Sequence, residues 1–200
     1  EARVSRAPSA SDSGGTRERI LDAAQELLQT QGYHAFSFRD LADRIGIKSA
    51  SVHYYFPAKE DLSVALLVRY HARFFARLAE VETRRPAERI AAYAGLFIRT
   101  FQEGQRICPG ASFAADFATL PDAPRKALLA FYKDNLRWLE SVLRAGVELG
   151  EFRPIKNPAS AAGGIFSALE GAILLGRVSN GRSLKNTREW VLANLKPVSR

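Results

Sequence analysis

The stretch SFRDLADRIGIKSASVHYYFPAKEDL, Ser37 to Leu62, decides the fold. Phe38, Leu41, Ala42 and Ile45 recur at helical spacing, which gathers them on one face of a short helix. Gly46 ends that pattern, because glycine readily takes the left-handed conformation that closes many helices. A second short helix starts near Ser49 and runs into the aromatics Tyr54, Tyr55 and Phe56. Pro57 then suits the first turn of a longer helix, where its missing N–H costs nothing. Two short helices across a tight turn read as a helix-turn-helix.

These residues resemble the TetR/AcrR-type transcriptional repressors. Ser37, Arg39 and Asp40 match the opening of that family's second helix, and Phe56, Pro57, Lys59 and Leu62 match its Phe-Pro-x-Lys-x-x-Leu signature. The likeness is specific over Thr16 to Leu62 and continues more weakly to the C-terminus. His53 departs from it, standing where the family usually has a tyrosine, so that tyrosine's phosphate contact does not carry over. The resemblance implies an all-α protein: an N-terminal three-helix helix-turn-helix DNA-binding domain, then a larger C-terminal helical domain for ligand binding and dimerisation.

Outward from this stretch, residues 1–15 are rich in Ser, Ala and Gly without apolar periodicity, and read as a disordered arm. Arg3 and Arg6 on it could reach a minor groove; a floppy leader is the plainer reading. Thr16 is a plausible N-cap for a first helix whose buried stripe is Ile20, Leu21, Ala24, Leu27 and Leu28, ending at Gly32. Residues 16–60 make the DNA-binding domain, and 61–200 the effector-binding and dimerisation domain. The long helix runs from about Ala58 to Glu82 with Arg69, Arg73 and Arg77 on a solvated face. Further helices are expected over Pro86 to Gln105, from Pro121 or Pro124 to Leu149, over Pro158 to Asn180 with Asn157 as N-cap, and over Ser183 to Leu195, with a short segment Ala111 to Leu120 between the first two. No period calls for a sheet.

With 200 residues, 46% of them hydrophobic, the chain has material for a sizeable core. The net charge of +8 is weak evidence for nucleic acid, since residues 1–60 carry eight basic and eight acidic side chains and the whole excess lies beyond them. A single cysteine, Cys108, excludes an internal disulfide framework. With no apolar run of membrane-spanning length and no secretory-signal layout, the expected location is cytoplasmic.

For DNA, Ser37 offers a hydroxyl and unpaired backbone N–H groups to a phosphate; a simple N-cap is the plainer reading, and both can hold together because the cap leaves donors free. Lys48, Ser49, Ala50 and Ser51 open the recognition helix, the part that meets base edges. One of Tyr54 and Tyr55 should pack inward; the family pattern points Tyr54 outward. Arg39 joins this set through its motif position. Lys59 resembles the family's phosphate-contacting lysine, and His53 either touches DNA or covers the helix junction. For the dimer, the candidates are Ile165, Phe166, Leu169, Ile173, Trp190 and Leu195 on the last two helices, implying a homodimer and a pseudopalindromic operator. For an effector pocket, the aromatics Phe74, Tyr93, Phe97, Phe101, Phe113, Phe117, Phe131, Tyr132 and Trp138 are candidates with Cys108 and Asp116. As aromatic stripes they fit plain core equally well, and the resemblance alone raises a ligand role.

The stretch RICPGASFAADFATLP, Arg106 to Pro121, is similar to a subgroup related to the N-ethylmaleimide reductase repressor, whose cysteine senses electrophiles. Cys108 is thus either a reactive thiolate or a buried, inert thiol. Three scattered histidines offer no triad or metal-ligand spacing, so an enzyme built on His71 or Cys108 is disfavoured, and no metal or cofactor is called for. The expectation is a dimeric, non-enzymatic DNA-binding regulator, a repressor released by a small molecule. The alternatives are an electrophile- or redox-sensing repressor acting through Cys108, or a helical interaction module without sequence-specific binding.

Overall fold

The computed structural model describes residues 10–197. Among them the chain forms nine α-helices, two single 3₁₀ turns and no strand. They are α1 (Ala10–Gln31), α2 (Phe38–Ile45), α3 (Ser49–Tyr55), α4 (Lys59–Ala79), α5 (Pro86–Gln102), α6 (Pro109–Ala115), α7 (Asp122–Glu148), α8 (Pro158–Ser179) and α9 (Arg182–Leu195). The all-α class read from the apolar periods is the one observed.

Helix α1 begins at Ala10, ahead of Thr16, so residues 10–15 are helical rather than part of an irregular arm. Only the first turn of a helix carries the nucleation penalty, and extending an existing one is cheap even through poor helix formers. Arg3 and Arg6 lie outside the described residues. Ile20, Leu21, Ala24, Leu27 and Leu28 face inward as their spacing demands, and Gly32 ends the helix at a φ of 98°. On α2, Phe38, Leu41 and Ala42 are buried, and Gly46 closes the helix in the left-handed region at φ 71°. Lys48 caps α3, whose Val52 is buried in the same core.

These three helices do not close their own core. Phe113 of α6, Leu120 just ahead of α7 and Leu128 of α7 complete it, so the packing continues past residue 60. At the start of α4 the Ala58 N–H donates to Asp61 at 3.0 Å, and Pro57 stands just outside the helix instead of in its first turn. Arg69 departs from the solvated face expected of it. Its guanidinium reaches Asp22 at 2.8 Å and Glu18 at 3.0 Å, and Arg73 reaches Glu18 at 3.4 Å, fastening α4 to α1.

The second core gathers α4, α5, α7, α8 and α9 around Phe74, Phe97, Phe131, Leu139, Leu169, Ile173 and Val191. After α7 the chain folds back and lays the Phe152 ring on Gly146, where a Cβ would sit 2.0 Å from the ring. Asn157 caps α8, its side chain accepting the Ser160 N–H at 3.0 Å, and Asn180 ends it in the left-handed region. Helix α8 is apolar enough over its length to pass for a membrane span by composition, contrary to the reading of the sequence. Its buried face packs on α7 and α9.

Candidate nucleic-acid interface and adjoining cavity

The outer surface of the head presents Arg39, Lys48, Ala50, His53 and Tyr54 to solvent, with Ser49 and Ser51 half-buried. Tyr54 is 77% exposed, while Tyr55 packs against the head core. His53 lies edge-on to Phe38, their rings 4.8 Å apart, so it covers the junction of α2 and α3 while leaving its outer edge in solvent. Arg39 is held only by a 4.0 Å pairing with Asp43, and such exposed pairs contribute little.

Two expected phosphate ligands also hold bonds within the head. The Ser37 hydroxyl donates to Asp40 at 2.7 Å and accepts the Asp40 N–H at 3.3 Å, while the Ser37 N–H donates to the same carboxylate. These bonds, with the hydroxyl first, hold the Asp40 carboxyl below its usual value. Lys59 donates to the Tyr33 carbonyl at 2.6 Å and to the Phe36 carbonyl at 2.5 Å. Its ammonium also sits 4.7 and 4.3 Å from the centres of those two rings. Partial burial lowers its pKa against weaker upward pulls from Asp40 and Asp116. Lys59 therefore ties the start of α4 to the turn between α1 and α2, and its geometry is that of a latch rather than a phosphate clamp.

Further bonds join head and body. The Gln29 side chain donates to the Ile107 carbonyl at 2.9 Å, and the Ile107 N–H returns to Gln29 O at 3.1 Å. Arg177 of α8 donates to the Gln29 and Thr30 carbonyls that end α1. Asp116, expected near a pocket, accepts the Tyr33 N–H at 3.3 Å.

A cavity of about 420 Å³ opens between α6, α7 and α8. Of the expected pocket residues, Phe117, Phe131 and Tyr132 line it; Phe166, expected at a dimer contact, lines it too. The rest are packed. Phe74 meets Tyr93, Phe97 and Phe131 ring to ring, and Phe101 lies against Gly176. Tyr93 is fully buried, donates to Asn135 at 2.6 Å and stacks on Trp138. Phe113 belongs to the head core. Facing aromatics at helical spacing filled one another's space instead of leaving a void.

Residues not offered as pocket candidates complete the cavity: Gly110, Ala111, Ala114 and Ala115 of α6, Leu128 and Leu129 of α7, and Ser167, Glu170, Gly171 and Leu174 of α8. One signal could have found Glu170: it is the sole charged residue in α8 before Arg177.

Cys108 is buried, 3.5 Å from the Tyr70 hydroxyl. Burial, and then the nearby Glu170, push its thiol well up, so it stays protonated; reactive thiols need the opposite setting. His71 pairs with Asp134 at 3.0 Å.

The dimer candidates also sort differently. Ile165, Phe166, Leu169, Ile173 and Leu195 are buried inside the protomer, and only Trp190 is exposed. The outward stripe of α8 holds Gly164, Ser167, Leu174, Leu175 and Val178, with Val178 87% exposed and Gly171 half-buried between them; Ser167, Gly171 and Leu174 stand at the cavity as well.

Residues 20–66 match the family model described as "Bacterial regulatory proteins, tetR family", and residues 86–189 match "Tetracyclin repressor-like, C-terminal domain". The chain belongs to the TetR family. It is similar to the HTH-type transcriptional repressor KstR2 of Mycobacterium tuberculosis, 31% identical over 143 residues that cover 69% of this chain and 70% of that one. A TetR transcriptional regulator from Legionella pneumophila superposes with a TM-score of 0.83 at 31% identity, over 98% of this chain and 100% of the other. The reduced form of E. coli NemR shares the fold at a TM-score of 0.79 and 23% identity, covering 92% and 100%. As a TetR-family member the chain is a DNA-binding transcriptional regulator with a helix-turn-helix head.

Proposed function

We propose that the protein is a homodimeric repressor that places two copies of α3 in successive major grooves of a pseudopalindromic operator and lets go when a small molecule fills the α6–α8 cavity. It would act in the cytoplasm, with double-stranded DNA and the effector as its partners. The observation that carries this reading is the two-sidedness of α6. Phe113 on one side is buried in the head core, while Gly110, Ala111, Ala114 and Ala115 on the other line the cavity. A ligand that moves α6 must therefore repack the head or tilt it. Small interiors resist compression and shift as units, so displacement at the cavity reaches the head at little loss.

The outward stripe of α8 supports the dimer. Gly164, Ser167 and Gly171 let a second backbone approach, and Leu175, Val178 and the neighbouring Trp190 supply apolar area left uncovered in one protomer. Twofold pairing there would set the two heads about one DNA turn apart, roughly 34–36 Å. On each head Lys48, Arg39 and Tyr54 would reach phosphate, with Ser49, Ala50 and Ser51 nearest the base edges.

The test is selection of bound duplexes from a random pool by the purified protein. The expected product is an inverted repeat that scrambled duplex fails to displace at matched salt. Enrichment of no sequence, or of single half-sites only, would overturn the reading.

A further inference from the structure

We propose that the effector cavity binds an amine, a small and mostly apolar molecule whose protonated nitrogen pairs with the Glu170 carboxylate. This rests on the cavity being the effector site. About 420 Å³ lies within the range of small-molecule sites, and at roughly 30 Å³ for each water-sized group it holds about a dozen non-hydrogen atoms. Its walls are apolar: Ala111 and Ala114 from α6, Leu128 and Phe131 from α7, Phe166 from α8. Glu170 is the one acidic side chain among its lining residues.

Both Glu170 carboxylate oxygens lie behind the cavity wall, shut off from solvent and without an N–H or O–H donor among the described residues; the neighbouring Cys108 thiol alone bonds to the carboxyl, which meets a ligand once its side chain swings into the cavity. A buried carboxylate in that state is costly and is ordinarily neutralised by a cation or a proton. The titratable groups near it supply no cation. They are the Cys108 thiol ahead of α6, the Tyr70 hydroxyl of α4 and the Tyr93 hydroxyl of α5, with Tyr132 of α7 also on the cavity wall. The compensating charge has to arrive with the ligand. Burial pushes the Glu170 carboxyl from its ordinary 4.5 up to about 7, against the downward pull of the hydrogen bond from the Cys108 thiol. The empty site thus carries its own proton at mildly acid pH and gives it up near neutrality. Because a protonated amine selects the ionised form, affinity rises as pH climbs through about 7 and levels off above it, until the amine itself deprotonates. A ligand presenting a hydrogen-bond acceptor to Glu170 would show the reverse.

Calorimetric titration of the full chain with phenylbutylamine and, separately, phenylbutanol compares a cation with a neutral donor on one apolar body. The expected result is at least tenfold tighter binding of the amine at pH 8, a smaller preference at pH 6, and none in Glu170→Gln. Thermal melts confirm that this variant is folded, and Ala115→Trp, which fills the cavity mouth, should abolish binding of both compounds. Equal binding of the two, a preference that survives Glu170→Gln, or no binding of either overturns the pairing. The same compounds are then added to the protein on its selected duplex. Glu170-dependent amine binding without DNA release upholds the pairing and defeats the effector reading.

Discussion

Lys59→Met keeps the apolar stem and removes the ammonium, which separates a latch from a phosphate contact. The structure gives that ammonium two charge-assisted bonds to the Tyr33 and Phe36 carbonyls and two ring faces. A hydrogen bond from a charged group contributes about 1.5–3 kcal/mol, and a carbonyl left unpaired in a partly buried site costs about 1–3 kcal/mol. Against this, the variant no longer has to bury a charge, which the downward pKa of Lys59 marks as unfavourable. The net expectation is a loss of about 2–3 kcal/mol, or roughly 4–12 °C in Tm for a chain of this size. DNA binding should weaken in step with the loosened head, yet the slope of log K against log salt should not change. Lys48→Ala should do the opposite, leaving Tm almost untouched and reducing the slope by about one per head, or about two per dimer. Thermal melts and fluorescence-anisotropy titrations at several salt concentrations read both quantities. An unchanged Tm for Lys59→Met together with a slope lowered by about two would refute the latch and place the ammonium on DNA.

Three further outcomes follow from the packing. Glu170→Gln should stabilise the protein at pH 8 and not at pH 4: a carboxyl whose pKa rises from 4.5 to about 7 on folding binds more protons folded than unfolded between those values. Wild-type stability therefore falls as pH rises through that window, by up to about 3 kcal/mol, and melts of both forms across it check the sign. Gly146→Ala should cost about 1–3 kcal/mol in denaturant titrations, because its methyl would meet the Phe152 ring. Val178→Asp, on the outward stripe of α8, should give monomers in sedimentation and abolish operator binding while leaving the monomer's far-UV circular dichroism intact.

Much of the fold was legible because the chain punctuates itself. Gly46, Pro86, Asn157-Pro158 and Asn180-Gly181 fall at helix ends, and the apolar spacing between them names the buried faces of α1 and α2. Helix α8 defeated that method. Apolar or small residues surround it, so composition alone does not tell the face turned to the protomer's own core from the face left outward, and all four contacts chosen on it turned inward. The pocket failed for a related reason. Whether facing aromatics interlock or leave room depends on rotamers and on glycines such as Gly110 and Gly176 across the gap. Lys59 carried a visible charge, but its partners lie on backbone more than twenty residues earlier, where only the folded turn presents them.

The central idea is that filling the cavity behind α6 alters the separation of two recognition helices. A spin label on Asp43→Cys, exposed on α2 and outside the DNA-facing set, with Cys108 buried and out of reach, reports the separation of the two heads by pulsed dipolar spectroscopy. On the selected duplex the expected result is a single distance population, broadened by the label's own reach, that matches heads spaced one DNA turn apart. A releasing ligand should shift or broaden it by several ångströms. Release from DNA with an unchanged distance distribution would contradict the coupling through α6.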